Sequence, residues 1–404
     1  MPEDKKGQQV AEWGVNAGWS GRGNLTTLLA ELERQKESKI DFVADTRHLQ
    51  VLDHDDRSEK PKKDIRLVPV SDKMGEWMPR AGMPFTRNAL GNLGAKLTPT
   101  VPSRFLYELA DHDKTITARL LNDLMVKTPE TRLIRCLDGN VRAILSDRYR
   151  ILDNYDIAFT ALDVVREAGG EVIEASLSDT HMRMKFTSLS IFDAIKSERE
   201  QPNWRYGGGL GNQQYLSKVA ARTGGELPGG PGTVHPLVTI SNSETGDGGF
   251  NVRLGLLKGI CFNLATIEDL IAKVHLGGKL EQGLFTQETI AADNKAIFLK
   301  VRDMIKAAFE SDHFKRLVAM AQNAQDDVIA NPTTALNNLA KDVGLSDDGR
   351  DRILEYFLRD YSQTRWGLAQ AIARVAQDID APESATMMED LAGRLIKDEK
   401  LVEV

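Results

Sequence analysis

The stretch TRLIRCLDGNVRAILS, residues 131–146, constrains the fold more than any other part of the chain. Two strand-like runs flank Asp138-Gly139-Asn140, and that turn chemistry favours the positive φ angles of a tight antiparallel hairpin. NYDIAFTALDVVREA (154–168) then has helical periodicity and stops at Gly169-Gly170. A second hairpin follows, EVIEASL (171–177) and HMRMKFT (181–187). Its second strand alternates, with Met182, Met184 and Phe186 on one side and His181, Arg183 and Lys185 on the other. That strand is expected to lay its apolar face on a helix and to turn its basic face toward solvent or a ligand. The hairpin–helix–hairpin order argues against a doubly wound parallel sheet. The expected fold class is α+β: an antiparallel, hairpin-rich sheet backed by helices, followed by an all-helical C-terminal unit.

Around this centre the chain is expected to divide into four parts. Residues 1–64 form a polar N-terminal segment with a short helix (27–35), a strand-like run (41–53) and a solvated loop (57–64), poorly ordered at its start. Residues 65–285 form the α+β core, interrupted by a Gly-rich insertion at 197–233 that holds nine glycines and no periodic pattern. Within it, Thr86, Ser103 and Asp113 are placed to cap helices, and 257–278 reads as beginning in a strand and ending in a helix. Residues 286–380 are helical, with a start at Asn331-Pro332, a stop at Gly344, a cap at Ser346 and a last helix over 365–379. Residues 381–404 are an acidic tail with one weak helix. No internal repeat and no long heptad run occurs.

Composition excludes some classes of function. With 41% hydrophobic and 27% charged residues the chain is ordinary for a globular protein. A net charge of −7 excludes a protein coated in basic surface, though not a local basic groove. Cys136 and Cys261 lie in apolar strand-like settings, as buried thiols of a reducing compartment do; a disulfide between them is the alternative. No apolar run reaches the roughly 18 residues of a membrane span. The N-terminus lacks the apolar core of a secretion signal. A cytoplasmic protein is expected.

No motif dictates a reaction. The Walker pattern and GxSxG are absent, and GGGLGNQ (207–213) lacks the third glycine and the preceding strand of a dinucleotide fingerprint. His275-Leu-Gly-Gly-Lys279 allows a phosphate cradle in which Lys279 converges with backbone amides, or simply a helix ending at glycine. Asp147, Asp153, Glu244 and His275 are the set a metal-dependent nuclease would need; the alternative is that Asp153 or Asn154 caps a helix and Asp147 pairs with an arginine. No cofactor is expected.

Basic residues interleaved with aromatics are more informative. Residues 131–150 carry Arg132, Arg135, Arg142, Arg148 and Arg150 against two aspartates. Residues 199–222 carry Arg199, Arg205, Lys218 and Arg222 against Glu200, together with Trp204, Tyr206 and Tyr215. Cations for phosphates and aromatics for bases are what single-strand binding requires, and Arg183 and Lys185 add a basic strand face. Ordinary solvated charge is the alternative for each patch.

LSDRYRILDN (145–154), NSETG (242–246), Cys261 with Asn263, His275 with Gly277, and Trp366-Gly367 together resemble the phage- and plasmid-like family known as domain of unknown function 932. The resemblance spans most of 65–380. It implies a setting in mobile-element DNA metabolism and brings no established activity. The hairpin-rich sheet backed by helices is also similar, by architecture alone, to phage single-strand annealing proteins. NSETG itself has two readings. Asn242 and Ser243 either bond nearby backbone in an elaborated turn, or contact phosphate or sugar in a ligand loop, with Glu244 holding an arginine in place. The leading expectation is a non-catalytic, single-stranded DNA-binding or annealing protein of a phage or other mobile element. It would act as a homo-oligomer, with a phage or host replication or recombination protein as a candidate partner. A metal-dependent nuclease and a protein inhibitor of a host defence complex are the alternatives.

Overall fold

A computed structural model describes residues 21–23, 25–55, 63–70, 78–98, 102–196, 232–258, 264–274, 287–379 and 382–398. A short strand, β1 (Gly21–Gly23), precedes helix α1 (Leu25–Ser38). The run 41–53 is two strands, β2 (Lys39–Asp45) and β3 (Leu49–Asp55), separated by a 3₁₀ turn at Thr46–His48. The Asp45 carboxylate accepts from the Arg47 backbone N–H at 2.8 Å and so fixes that turn. β3 pairs with β4 (Lys63–Pro69), and β4 pairs with β5 (Met83–Pro84). The boundary expected at 64/65 therefore falls inside β4. Residues 39–55 and 63–69 belong to the body of the fold, where Phe42, Ala44, Leu49, Val51 and Leu67 bury their side chains.

Helices α2 (Arg87–Leu97), α3 (Ser103–His112) and α4 (Lys114–Lys127) follow. Thr86 caps α2 by accepting from the Ala89 N–H at 3.1 Å, and Asp113 caps α4 by accepting from the Ile116 N–H at 2.9 Å. Ser103 does not cap α3. Pro102 takes the cap position with extended backbone, which leaves Ser103 as the first helical residue. The hairpin β6 (Thr131–Leu137) and β7 (Asn140–Ser146) turns on Asp138 (φ 53°) and Gly139 (φ 75°), both in the left-handed region of a two-residue primed turn. β2, β6 and β7 form one three-stranded sheet and β3, β4 and β5 another. They share a core with α2 and α4 that includes Val51, Leu67, Leu90, Leu121, Ile134 and Ile144.

After α5 (Asn154–Glu167) come β8 (Glu171–Leu177), β9 (Met182–Thr187), β10 (Asp193–Ala194), β11 (Thr233–Asn242), β12 (Phe250–Lys258) and β13 (Leu264–Val274). They build a seven-stranded antiparallel sheet in the order β1-β8-β9-β11-β12-β13, with β10 on β11. The described part of 257–278 is strand, not strand turning to helix. LATIEDLIAKV has helix-like spacing, but pairing with β12 through register shifts overrides that local preference.

The chain ends in α6 (Gln287–Ala308), α7 (Ser311–Asp326), α8 (Pro332–Val343), α9 (Asp347–Asp360), α10 (Arg365–Gln377) and α11 (Pro382–Lys397). Asn331, Ser346 and Thr364 cap α8, α9 and α10, and Gly344 ends α8 at φ 70°. The expected α+β class with an all-helical C-terminal region is thus what the chain adopts. The helical region is not a separate body, however. Its Val301, Phe357, Trp366 and Ile372 join the same core as Met184, Phe186, Ile240 and Val252 of the large sheet. Nor are residues 382–397 a tail: in α11, Leu391, Leu395 and Ile396 are buried in that core. Among the described residues no helix is long and apolar enough to cross a membrane.

Candidate functional site

The NSETG stretch lies at the end of β11 and opens the connection to β12. Ser243 Oγ accepts from the backbone N–H groups of Thr245 and Asp247 at 3.3 and 3.2 Å. Thr245 Oγ1 donates to the Asp247 carboxylate at 2.7 Å. Asn242 Nδ2 donates to the Leu152 carbonyl at 3.0 Å and to Asn154 Oδ1 at 2.8 Å. Tyr149 donates its hydroxyl proton to the Ser243 carbonyl at 2.9 Å. Gly246 has φ 84°, and a Cβ there would meet Leu145 Cδ2 at 2.5 Å, so both backbone conformation and space require glycine. Asn242, Ser243, Glu244 and Thr245 are all buried. Their polar atoms face the protein, as the turn reading requires.

Glu244 is the centre of this arrangement and is only 1% exposed. Its Oε1 accepts from Lys39 Nζ at 2.6 Å and from the Asn154 backbone N–H at 2.6 Å, while its other oxygen pairs with Arg142. The contact with Asn154 places a carboxylate on an orphan N–H at the start of α5, where the helix dipole favours negative charge. Asp153 occupies the N-cap position of that helix but makes no cap bond. Its carboxylate instead accepts from Arg135 at 3.0 Å and Lys39 at 3.2 Å. Arg135 reaches three ways: to Asp41 at 2.9 Å, to Asp153, and to the Glu244 carbonyl at 3.0 Å. Lys39, Arg135 and Arg142 thus balance Asp41, Asp153 and Glu244.

These six side chains join the small sheet (β2, β6, β7) to the β11–β12 connection and to the head of α5. Burial alone would raise the Glu244 carboxyl, but the charges of Arg142, Lys39 and Arg135 outweigh it and hold that group far below the usual carboxylate range. Burial would likewise draw Arg135 down, and Glu244 and Asp41 reverse the effect. Beside this network the free thiol of Cys136 is buried and pushed up to about 12, chiefly by burial.

The fold therefore brings Asp153 and Glu244 together, but with the Lys39 ammonium between them and the Arg135 guanidinium alongside. Asp147 is apart, exposed, and accepts from Ser146 Oγ at 3.3 Å. His275 lies outside the described residues. Among the described residues no group of three histidine, cysteine, aspartate or glutamate side chains is disposed to hold a metal ion.

The cations expected to hold a nucleic-acid backbone separate into distinct groups. Arg132, Arg135 and Arg142 are buried, Arg132 paired with Glu130 and the other two in the Glu244 network. Arg150 is half-buried and pairs with Asp293. Arg148 is exposed in the turn after β7, where its backbone N–H donates to Ser146 Oγ at 3.2 Å. Lys279 and the Trp204, Arg205, Tyr206, Tyr215, Lys218 and Arg222 set lie outside the described residues.

The basic face of β9 is where the structure corrects the sequence most. Met182, Met184 and Phe186 do face the core. The opposite face is not open, because α11 lies over it. Arg183 pairs with Glu383 at 3.4 Å. Lys185 is only 2% exposed and pairs with Glu389 at 2.8 Å and with Glu174 of β8 at 3.2 Å. Arg253 of β12 extends the row and pairs with Asp390 at 2.6 Å. Alternation showed which side chains share the face; it carried no information about a helix some two hundred residues further on. Arg253 was within reach of the same alternation argument, since it alternates with Val252 and Leu254. Lys39 and Asp41 had no such signal.

Comparison with protein-family models, with curated proteins and with solved structures finds no match to this chain.

Proposed function

We propose that this chain is a non-catalytic, single-stranded DNA-binding protein that promotes annealing in the recombination or replication of a phage or other mobile element. It acts in the cytoplasm as a homo-oligomer. The observation that carries this reading is the cation row on one face of the large sheet. Arg183 and Lys185 stand two residues apart on β9, and Arg253 stands level with Lys185 across β11. Carboxylates of α11, Glu383, Glu389 and Asp390, pair with this row, as does Glu174 of β8. Such a face selects anions, and a phosphate backbone is a repeating anion. Exposed Arg148 adds a phosphate contact, and Trp204, Tyr206 and Tyr215 of the Gly-rich segment supply stacking surfaces. The mobile-element setting rests on the resemblance carried by LSDRYRILDN and NSETG. The inward-facing polar atoms of NSETG, and the balanced charges around Glu244, assign that stretch to holding the two sheets together rather than to the ligand.

The test is fluorescence anisotropy with labelled oligothymidylate and a matched duplex at low and physiological salt. The single strand should bind more tightly, and the logarithm of affinity should fall linearly with the logarithm of salt. Arg148→Ala should lower that slope by about one, as loss of a single phosphate contact does. Trp204→Ala with Tyr206→Ala should weaken binding at every salt concentration, because stacking is worth about 1–3 kcal/mol per base. No binding at low salt would overturn the proposal.

A further inference from the structure

Helix α11 is held in two different ways along its length. Its second half is anchored by burial: Leu391, Ala392, Leu395 and Ile396 lie in the core. The end is also tied down by Arg365, which donates from Nη1 to the Leu395 and Ile396 carbonyls at 2.7 and 2.8 Å and from Nε to Asp327 at 2.7 Å. Its first half is anchored largely by charge. Between Glu383 and Asp390 the only buried apolar side chains are Ala385 and Met388, while Met387 is 71% exposed. Three ion pairs join this half to the sheet, Glu383–Arg183, Glu389–Lys185 and Asp390–Arg253, beside a hydrogen bond between Ser178 and Glu383.

The surface beneath combines those cations with one polar group that the helix leaves unsatisfied. By register, Thr239 of β11 stands directly between Lys185 and Arg253. Its hydroxyl is buried and, among the described residues, has no hydrogen-bond partner, although its two cross-strand neighbours are both engaged by α11 carboxylates. A buried hydroxyl left unsatisfied is uncommon and costs stability. A phosphate group set against Lys185 and Arg253 has a further oxygen available to accept from Thr239.

We propose that the first half of α11, residues 383–390, is an intramolecular stand-in for a phosphate backbone, covering the Arg183–Lys185–Thr239–Arg253 row until a single strand displaces it. The inference rests on the single-strand-binding reading and specifies how that surface is regulated. Displacement frees carboxylates to water and replaces them with phosphates on the same cations. The helix unwinds from its N-terminal end, while the core-buried half from Leu391 onward stays docked. The protein is thereby kept from binding stray or weakly anionic ligands, and only a polyanion that engages several cations at once opens it.

The experiment compares the full chain with the isosteric variant Glu383→Gln, Glu389→Gln, Asp390→Asn, using labelled oligothymidylate and anisotropy. A cover that is open a tenth of the time or less lowers apparent affinity by about tenfold or more, so the variant should bind about tenfold or more tightly. Adding Arg253→Gln to the variant should remove much of that gain. In the wild-type chain, oligothymidylate should speed amide exchange at residues 383–390 and leave 391–397 unchanged. Equal affinity of variant and wild type, with exchange at 383–390 unaltered by the oligonucleotide, overturns the cover and leaves single-strand binding standing. No binding by either chain at low salt overturns both. Should the triple variant not fold, Glu383→Gln alone, at the partly exposed first turn, should tighten binding by about twofold, as expected for loss of one weak surface pair.

Discussion

Replacing Glu244 by glutamine tests whether the NSETG stretch is a structural fastening. The substitution keeps the volume and one acceptor for the Asn154 N–H, and it removes the charge. Arg142 then loses its carboxylate while remaining buried, and Lys39 keeps only Asp153 at 3.2 Å. Removing one partner of a buried ion pair costs about 3–5 kcal/mol. Because Asp153 still serves Lys39, the lower end applies, about 3 kcal/mol, a large part of the roughly 5–15 kcal/mol by which native folds are stable. Urea unfolding at neutral pH measures it directly. A cycle with Arg142→Met should give a coupling of about 1–3 kcal/mol between the two sites.

The pH dependence has a definite sign. The folded carboxyl of Glu244 is depressed: burial opposes the charge, but Arg142 and Lys39 prevail. Its stabilisation is therefore fully present above the unfolded value of about 4.3 and is lost as pH falls below that toward the folded value. The gap in stability between wild type and Glu244→Gln should narrow on acidification below about pH 4. A loss under about 1 kcal/mol, or a gain in stability, would refute the reasoning and return the NSETG stretch to the ligand-loop reading, since residues held for function rather than stability are often improved by substitution.

Two further substitutions probe the frame around the sites. Gly367→Ala places a Cβ on the Ser362 carbonyl oxygen at the start of α10, a backbone clash with no flexible group to yield, and should cost about 2–3 kcal/mol in chemical denaturation. Asn122 of α4 accepts from the Val51 N–H and donates to the Val51 carbonyl, both at 2.8 Å, so it stands in for a neighbouring strand along β3. Asn122→Leu should cost about 1–3 kcal/mol and raise self-association in light scattering, because it uncovers a strand edge.

Much of the local architecture was legible in the residues because its causes are local. Asp138-Gly139 dictates the β6–β7 turn through positive φ, Gly169-Gly170 ends α5, and Thr86, Asp113, Asn331 and Ser346 cap their helices through their own side chains. The expectations that failed are those where a distant partner overruled a local preference. LATIEDLIAKV became β13 because β12 offers a strand to pair with. Ser103 yielded the cap to Pro102. Residues 382–397 dock because an apolar stripe in an otherwise acidic stretch finds the core.

The candidate sites divide along the same line. Alternation in HMRMKFT determined that Arg183 and Lys185 share a face, because strand geometry alone sets that. The arginine-rich composition of 131–150 likewise determined that cations cluster there. Only the tertiary structure decided what those cations do. It set Arg135 and Arg142 against Asp41, Asp153 and Glu244 in the interior, and laid the carboxylates of α11 across Arg183, Lys185 and Arg253. The physical reason is that a buried charge must be neutralised by whatever the fold brings within a few ångströms, and here, Asp153 apart, those partners come from residues about 90 to 200 positions away in the chain.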